Sequence, residues 1–235
     1  MAQKTVWLPE IGEVILAKRK GSKSIRLSIS AAGKVRVGMP TWVPYAAGIN
    51  FVKSRSSWVS QHLEANPKTI VRNGSRIGKS YRLDYVYDVN ATRAQTRLIG
   101  QTLRIINNLP LENPTSQATV VKAAERALKT EAVRLLPPRL AQLAAQHNFK
   151  YKNLKIKKLV SRWGSCSSDK VITLNYYLMQ LPWDLIDYVL LHELVHTEYL
   201  NHSAAFWQKF EAVHSNAKPT RKRLKEYRPV INSID

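Results

Sequence analysis

Residues 189–196 read Val-Leu-Leu-His-Glu-Leu-Val-His, and this stretch constrains the fold more than any other. His192 and His196 lie four residues apart, close to one turn of an α-helix, so both imidazoles leave the same helical face. Two imidazoles in that relation can grip one metal ion. Glu193 leaves the helix about 100° away from His192. It is badly placed to join the same ligand set but can reach a water on the ion, the general-base position of zinc hydrolases. Leu190, Leu191, Leu194 and Val195 give this helix an apolar, buried setting. The same motif also arises by chance in helices without chemistry, so its neighbours must carry part of the argument.

A catalytic zinc keeps one position open, whereas a structural zinc takes four protein ligands. His202 is the best third ligand. An unbroken helix would turn it about 240° away from His196, so the helix must end or bend near Leu200-Asn201. Asn201 is a suitable breaker. Ser203 can cap a following helix with an apolar stripe of Phe206, Trp207, Phe210 and Val213. Pro182 and Asp184 open the first helix, which is expected to reach about Leu200. Cys166 as a fourth ligand would close the site, an arrangement the three histidines and Glu193 make unnecessary.

The remaining chain reads as α+β, with a β-rich N-terminal half. Ile25, Leu27 and Ile29 alternate with polar residues, Ala31-Ala32-Gly33-Lys34 supplies a turn, and Val35 and Val37 resume the alternation. A helix is expected from Pro44 to Glu64, carrying His62. Strands are expected at Ile70-Val71, after which comes an Asn73-Gly74 turn, at Arg82–Val89 and at Leu103–Ile106. Asn107–Ser116 has no clear period and is expected to divide the chain into 1–112 and 113–235. A helix over Gln117–Gln146 should break or kink at Pro137-Pro138, with His147 near its end. A hairpin follows from Ser161 to Leu178. No repeat of fixed period is evident.

Of 235 residues, 44% are apolar, enough for a core. No apolar run approaches the roughly 18–20 residues of a membrane span, and no membrane partner is expected. The N-terminus does not read as a secretory signal. Cys166 is the one cysteine and cannot pair internally, which favours a cytoplasmic location. Lys and Arg total 37 against 16 acids, a net +21, and such an excess attracts polyanions. The cations around the first hairpin are either a solvated sheet face or a nucleic-acid footprint. The tail from Lys218 to Arg228 is either a solvated helix or a second phosphate-binding surface.

The segments Arg162-Trp163-Gly164-Ser165-Cys166-Ser167, Asn175, Ile186–Val189, His192–His196, Asn201-His202-Ser203 and Phe206-Trp207 together closely resemble the YgjP-like metallopeptidase family, a relative of the SprT- and WLM-type zincins. The resemblance is most specific over the C-terminal third and looser in the basic hairpin and the helix from Pro44. It implies a minimal zincin domain within 113–235, with His192, His196 and His202 as ligands to Zn2+ and Glu193 as catalytic acid/base. The family usually has Ala at the position of Val195.

The reading that follows is a zinc-dependent peptidase acting on peptide or protein, with a zinc-held water activated by Glu193. Attack on phosphorus needs the same first steps, so a nucleotide phosphoanhydride hydrolase is the alternative. A nucleic-acid-binding module with a structural zinc is the third. Several neighbours have two readings each. Tyr199 faces the ion or packs locally, and Arg162 binds a substrate anion or pins the hairpin. Asp187 and Asn175 orient an imidazole N–H or cap backbone. Trp163 is expected in the core, and His214 on a helix surface. The sequence sets no oligomeric state.

Overall fold

The computed structural model describes residues 2–29, 33–64, 71–229 and 231, and the chain divides into two units, Met1–Lys68 and Thr69–Asp235. In the first unit, strands β1 (Gln3–Leu8), β2 (Gly12–Arg19), β3 (Arg26–Ile29) and β4 (Val35–Pro40) form a sheet in the order β1-β2-β4-β3. β2 and β4 run parallel, and the two outer pairs are antiparallel. The alternation in β2 and β4 buries Val14, Leu16, Val35, Val37 and Met39. Val52 and Val59 cover them from helices α1 (Tyr45–Lys53) and α2 (Ser56–Glu64). The single helix expected from Pro44 is therefore two. Ser54 ends the first, its hydroxyl donating to the Phe51 carbonyl at 3.0 Å. The turn at Ala31-Ala32, the His62 side chain and Ile70 lie outside the described residues.

The second unit opens with β5 (Arg76–Ile77), β6 (Tyr81–Tyr87), β7 (Gln95–Ile99) and β8 (Thr102–Asn107), in the order β5-β6-β8-β7 with β6 and β8 parallel. This is the topology of the first sheet again, and again a helix follows. The repeat is one of strand order rather than residue identity, so the sequence carries no period. Helix α3 (Pro114–Gln146) begins at Asn113, whose side chain accepts from the Thr115 N–H. It continues through Pro137 and Pro138. The carbonyls those prolines leave without donors belong to the exposed residues Val133 and Arg134, while buried Leu136, Leu140 and Leu143 hold the helix on both sides.

The division expected at 112/113 falls inside this unit. Asn107 Nδ2 donates to Ser116 Oγ and to the Tyr85 hydroxyl, both at 3.0 Å. Gln117 bonds the backbone of Val71 through both its amide atoms. Leu83, Leu103 and Ile105 of the sheet share one core with Val120, Ala124 and Leu128 of α3. The turn after β5 is docked the same way. Gly78 has φ +65°, and a Cβ there would stand 2.2 Å from Glu131 Oε2.

Next come β9 (Asn153–Lys157), β10 (Gly164–Cys166) and β11 (Val171–Asn175), with β10 and β11 forming the expected hairpin and β9 parallel to β11. A 3₁₀ turn (Tyr176–Gln180) leads into α4 (Trp183–Val195), α5 (Ala204–Val213) and α6 (Ala217–Leu224). Among the described residues, no helix is long and apolar enough to cross a membrane.

Candidate metal centre

Helix α4 is buried on most sides and anchored near its start. Asp187 accepts from Arg139 of α3 at 2.8 and 2.5 Å, and Asp184 pairs with Arg223 of α6 at 2.5 Å. The helix ends at Val195, short of the expected Leu200. Its last turn tightens: Thr197 N–H bonds the Leu194 carbonyl at 3.0 Å, and Glu198 N–H the Val195 carbonyl at 3.0 Å. Such i→i+3 bonds close a helix end economically. The chain then bends, with Asn201 Oδ1 accepting from the Ser203 N–H at 3.2 Å. Ser203 stands at the N-cap of α5 as expected, but its hydroxyl makes no capping bond.

This bend returns His202 to the face of α4. His192 Nε2 lies 3.2 Å from His196 Nε2 and 3.0 Å from His202 Nε2. A tetrahedral ion with metal–nitrogen bonds of about 2.0–2.1 Å needs ligand nitrogens about 3.3 Å apart, so the spacing fits a divalent metal. Among the described residues, these three form the one group of His, Cys, Asp or Glu suited to holding an ion. The Nδ1–H of His196 donates to the Tyr199 carbonyl at 2.8 Å. That bond leaves the Nε2 lone pair free for a metal. Burial, helped by the neighbouring His196, His202 and Arg221, pushes His192 down to about 3, so its ring is neutral. Burial lowers His196 as well.

Aromatic rings shape the cluster. The Phe206 centroid lies 5.0, 4.6 and 4.8 Å from those of His192, His196 and His202. Trp207 stacks on His202 at 5.7 Å and 28°, and the Arg221 guanidinium lies 4.8 Å from the centroid of Trp207. The apolar stripe of α5 thus forms one wall of the site.

Glu193 is 4% exposed, and its Oε2 has no hydrogen-bond partner among the described residues. Burial pushes its carboxyl up to about 8, against the opposing pull of Arg162. It lies against β10, where a Cβ at Gly164 would come within 2.6 Å of Oε1 and 2.8 Å of Cγ. The glycine of Trp-Gly-Ser-Cys is therefore the residue that makes room for the carboxylate. Sequence reasoning gave it no role, although a glycine inside a strand is a known sign of close approach.

The other residues take structural positions. Cys166 is outside the histidine group, and its thiol is pushed up to about 11 by burial and by Glu193. Asp187 serves Arg139 rather than an imidazole. Asn175 Nδ2 donates to the carbonyls of Leu159 and Arg162 at 2.8 and 3.0 Å, holding the loop that carries Arg162. Arg162 is exposed, and Trp163 packs on the core. Tyr199 contributes its carbonyl. His214 ends α5, its ring stacked on Phe210 at 5.8 Å. His147 ends α3. In the basic tail, Arg223 and Lys218 pair with Asp184 and Glu211.

No curated protein matches the chain at a significant level. Two crystal structures are similar over part of it. The metallopeptidase zymogen abylysin of Pyrococcus abyssi is 25% identical over 39% of this chain and 95% of its own, with a TM-score of 0.34. The metallopeptidase zymogen jannalysin of Methanocaldococcus jannaschii is 21% identical over 37% of this chain and 90% of its own, with a TM-score of 0.34. The YgjP-like metallopeptidase domain model matches residues 23–227, nearly the whole chain, and the protein belongs to that family.

Proposed function

We propose that this chain is a zinc-dependent metallopeptidase in which His192, His196 and His202 hold the ion and Glu193 is the general base and acid. The observation that carries the reading is the convergence of the three imidazoles, with the buried carboxyl of Glu193 on the helix that carries His192 and is capped by His196. Three imidazole ligands suit zinc among the common divalent ions. Zinc bound there would polarise a peptide carbonyl and bring the pKa of water from 15.7 to about 7.

Within the chain, Glu193 moves the proton. Its carboxylate takes one from the attacking water and returns it to the departing amine. Burial raises its proton affinity and a cation on the imidazoles would lower it, opposing pulls that suit a group which must both take and return a proton. The Tyr199 carbonyl keeps the His196 ring in the tautomer that ligation needs. All of this apparatus lies within residues 113–235. The lone cysteine fits a cytoplasmic location.

Wild type and Glu193→Gln, both with confirmed zinc, should be compared on an unfolded protein substrate and on nucleoside triphosphates. Zinc-dependent proteolysis that falls about 10²–10⁴-fold in the variant is the expected result. Phosphate or pyrophosphate release without proteolysis would overturn it.

A further inference from the structure

The first unit carries eleven Lys and Arg against Glu10, Glu13 and Glu64. Five of the cations line one concave groove of about 610 Å³: Arg19, Lys20, Lys23, Arg26 and Arg36. No acid lines it. Gly38 leaves part of its floor without a side chain, opposite Arg26 in the register of β4 and β3. Arg36 Nε is shut away from solvent there and has no hydrogen-bond acceptor among the described residues. A cluster of guanidinium and ammonium groups without a carboxylate is a site for anions, and its concave form suits a chain of them.

The same unit exposes aromatic side chains close in sequence to the strands that line the groove. Trp42 is 77% exposed and follows β4 at the end where Arg19 pairs with Pro40. Lys18 Nζ bonds the Thr41 carbonyl beside it at 3.0 Å. At the edge strand β3, Leu27 lines the groove and also a second recess formed with Phe51, Arg55 and Trp58. Cations that follow a backbone, with aromatic faces beside them, are what single-stranded nucleic acid requires: phosphates meet the charges and bases stack on the rings. Anionic lipid headgroups present a broad surface that does not enter a groove. An acidic peptide would leave the exposed indole of Trp42 without a base to stack on.

We propose that the groove between β3, β4 and the 19–23 turn binds single-stranded polynucleotide, with Arg26, Arg36 and Lys23 on phosphates and Trp42 stacked on a base. This surface lies wholly in the first unit and does not depend on the metal centre, so either reading can fail alone.

The full chain should be titrated against fluorescent oligo(dT) and oligo(U) of about 12 nucleotides, a length one small fold can cover. With about four phosphates engaged, affinity should fall about 50-fold between roughly 50 and 200 mM salt. The paired change Lys23→Gln and Arg26→Gln should remove about 1.4 from that logarithmic salt slope. Trp42→Ala should weaken binding about 5- to 150-fold, the usual cost of losing one stacked base. The side chain is exposed, so unchanged thermal melting would show that the variant folds. Comparing the two oligonucleotides separates DNA from RNA as the source of the strand. Absence of binding at low salt overturns the proposal, as does equal binding by these variants. Equal or tighter binding to phosphatidylserine vesicles or polyglutamate, indifferent to Trp42→Ala, also overturns it.

Discussion

Gly164 and Glu193 define each other. The carboxylate occupies the volume that any larger residue at 164 would claim. Gly164→Ala should therefore displace Glu193 and lower kcat well below wild type, with metal content unchanged and a stability loss of about 1–3 kcal/mol. Metal analysis beside steady-state kinetics checks this. The burial of the site also sets a pH response in the metal-free protein. His192 is held down from its ordinary 6.5 to about 3, so its contribution to folding is present above 6.5 and lost as pH falls towards 3. Glu193 is raised from 4.5 to about 8, so its contribution is present below 4.5 and lost as pH rises through 8. Of these two groups only Glu193 still titrates between 6.5 and 8. Chelator-treated wild type should therefore lose thermal stability across that interval, and Glu193→Gln should lose less. Equal losses in the two proteins would remove burial of Glu193 as the cause.

The end of α4 matters as much as its motif. The i, i+4 spacing of His192 and His196 was legible because helix geometry alone fixes which side chains share a face. The need for a break before His202 followed from the same geometry. Where the break falls did not, because the bonds of Thr197 and Glu198 that close the helix belong to the backbone of a tight turn. Nor could spacing show that Asp187 would find Arg139, a partner 48 residues away on another helix. These two findings separate ligand support from helix anchoring. Trp207→Ala removes the ring stacked on His202 and should weaken metal binding on the order of tenfold. Asp187→Asn should cost about 1–3 kcal/mol of stability and leave metal affinity unchanged. Competition with a chromophoric chelator and thermal melting read the two effects independently.

Both units use the same strand order, with a parallel central pair and a helix after the fourth strand. Apolar alternation made β3, β4, β6 and β8 visible in sequence but left β1, β2, β5 and β7 unassigned, and pairing depends on which distant strands meet, so the topology and its repetition went unread. The boundary suffered for the same reason. Residues 107–116 look like a linker by composition, yet Asn107, Ser116 and Gln117 tie sheet to helix there. Each unit has its own hydrophobic cluster: Val14, Leu16, Val37 and Met39 belong to one, and Leu83, Ile105, Leu128 and Leu190 to the other. A fragment of 69–235 keeps the second cluster whole and should fold and bind one equivalent of metal. A fragment of 113–235 retains every residue of the candidate site but loses Leu83, Leu103 and Ile105 from the core against α3. Stripping large apolar partners from a buried helix face costs about 2–5 kcal/mol for each side chain, comparable with the whole stability of a typical domain. The shorter fragment should fail to give a cooperative melt and should bind metal weakly. A cooperative, metal-stabilised 113–235 fragment would instead mean that the β5–β8 sheet, which packs on α3, is dispensable to the site.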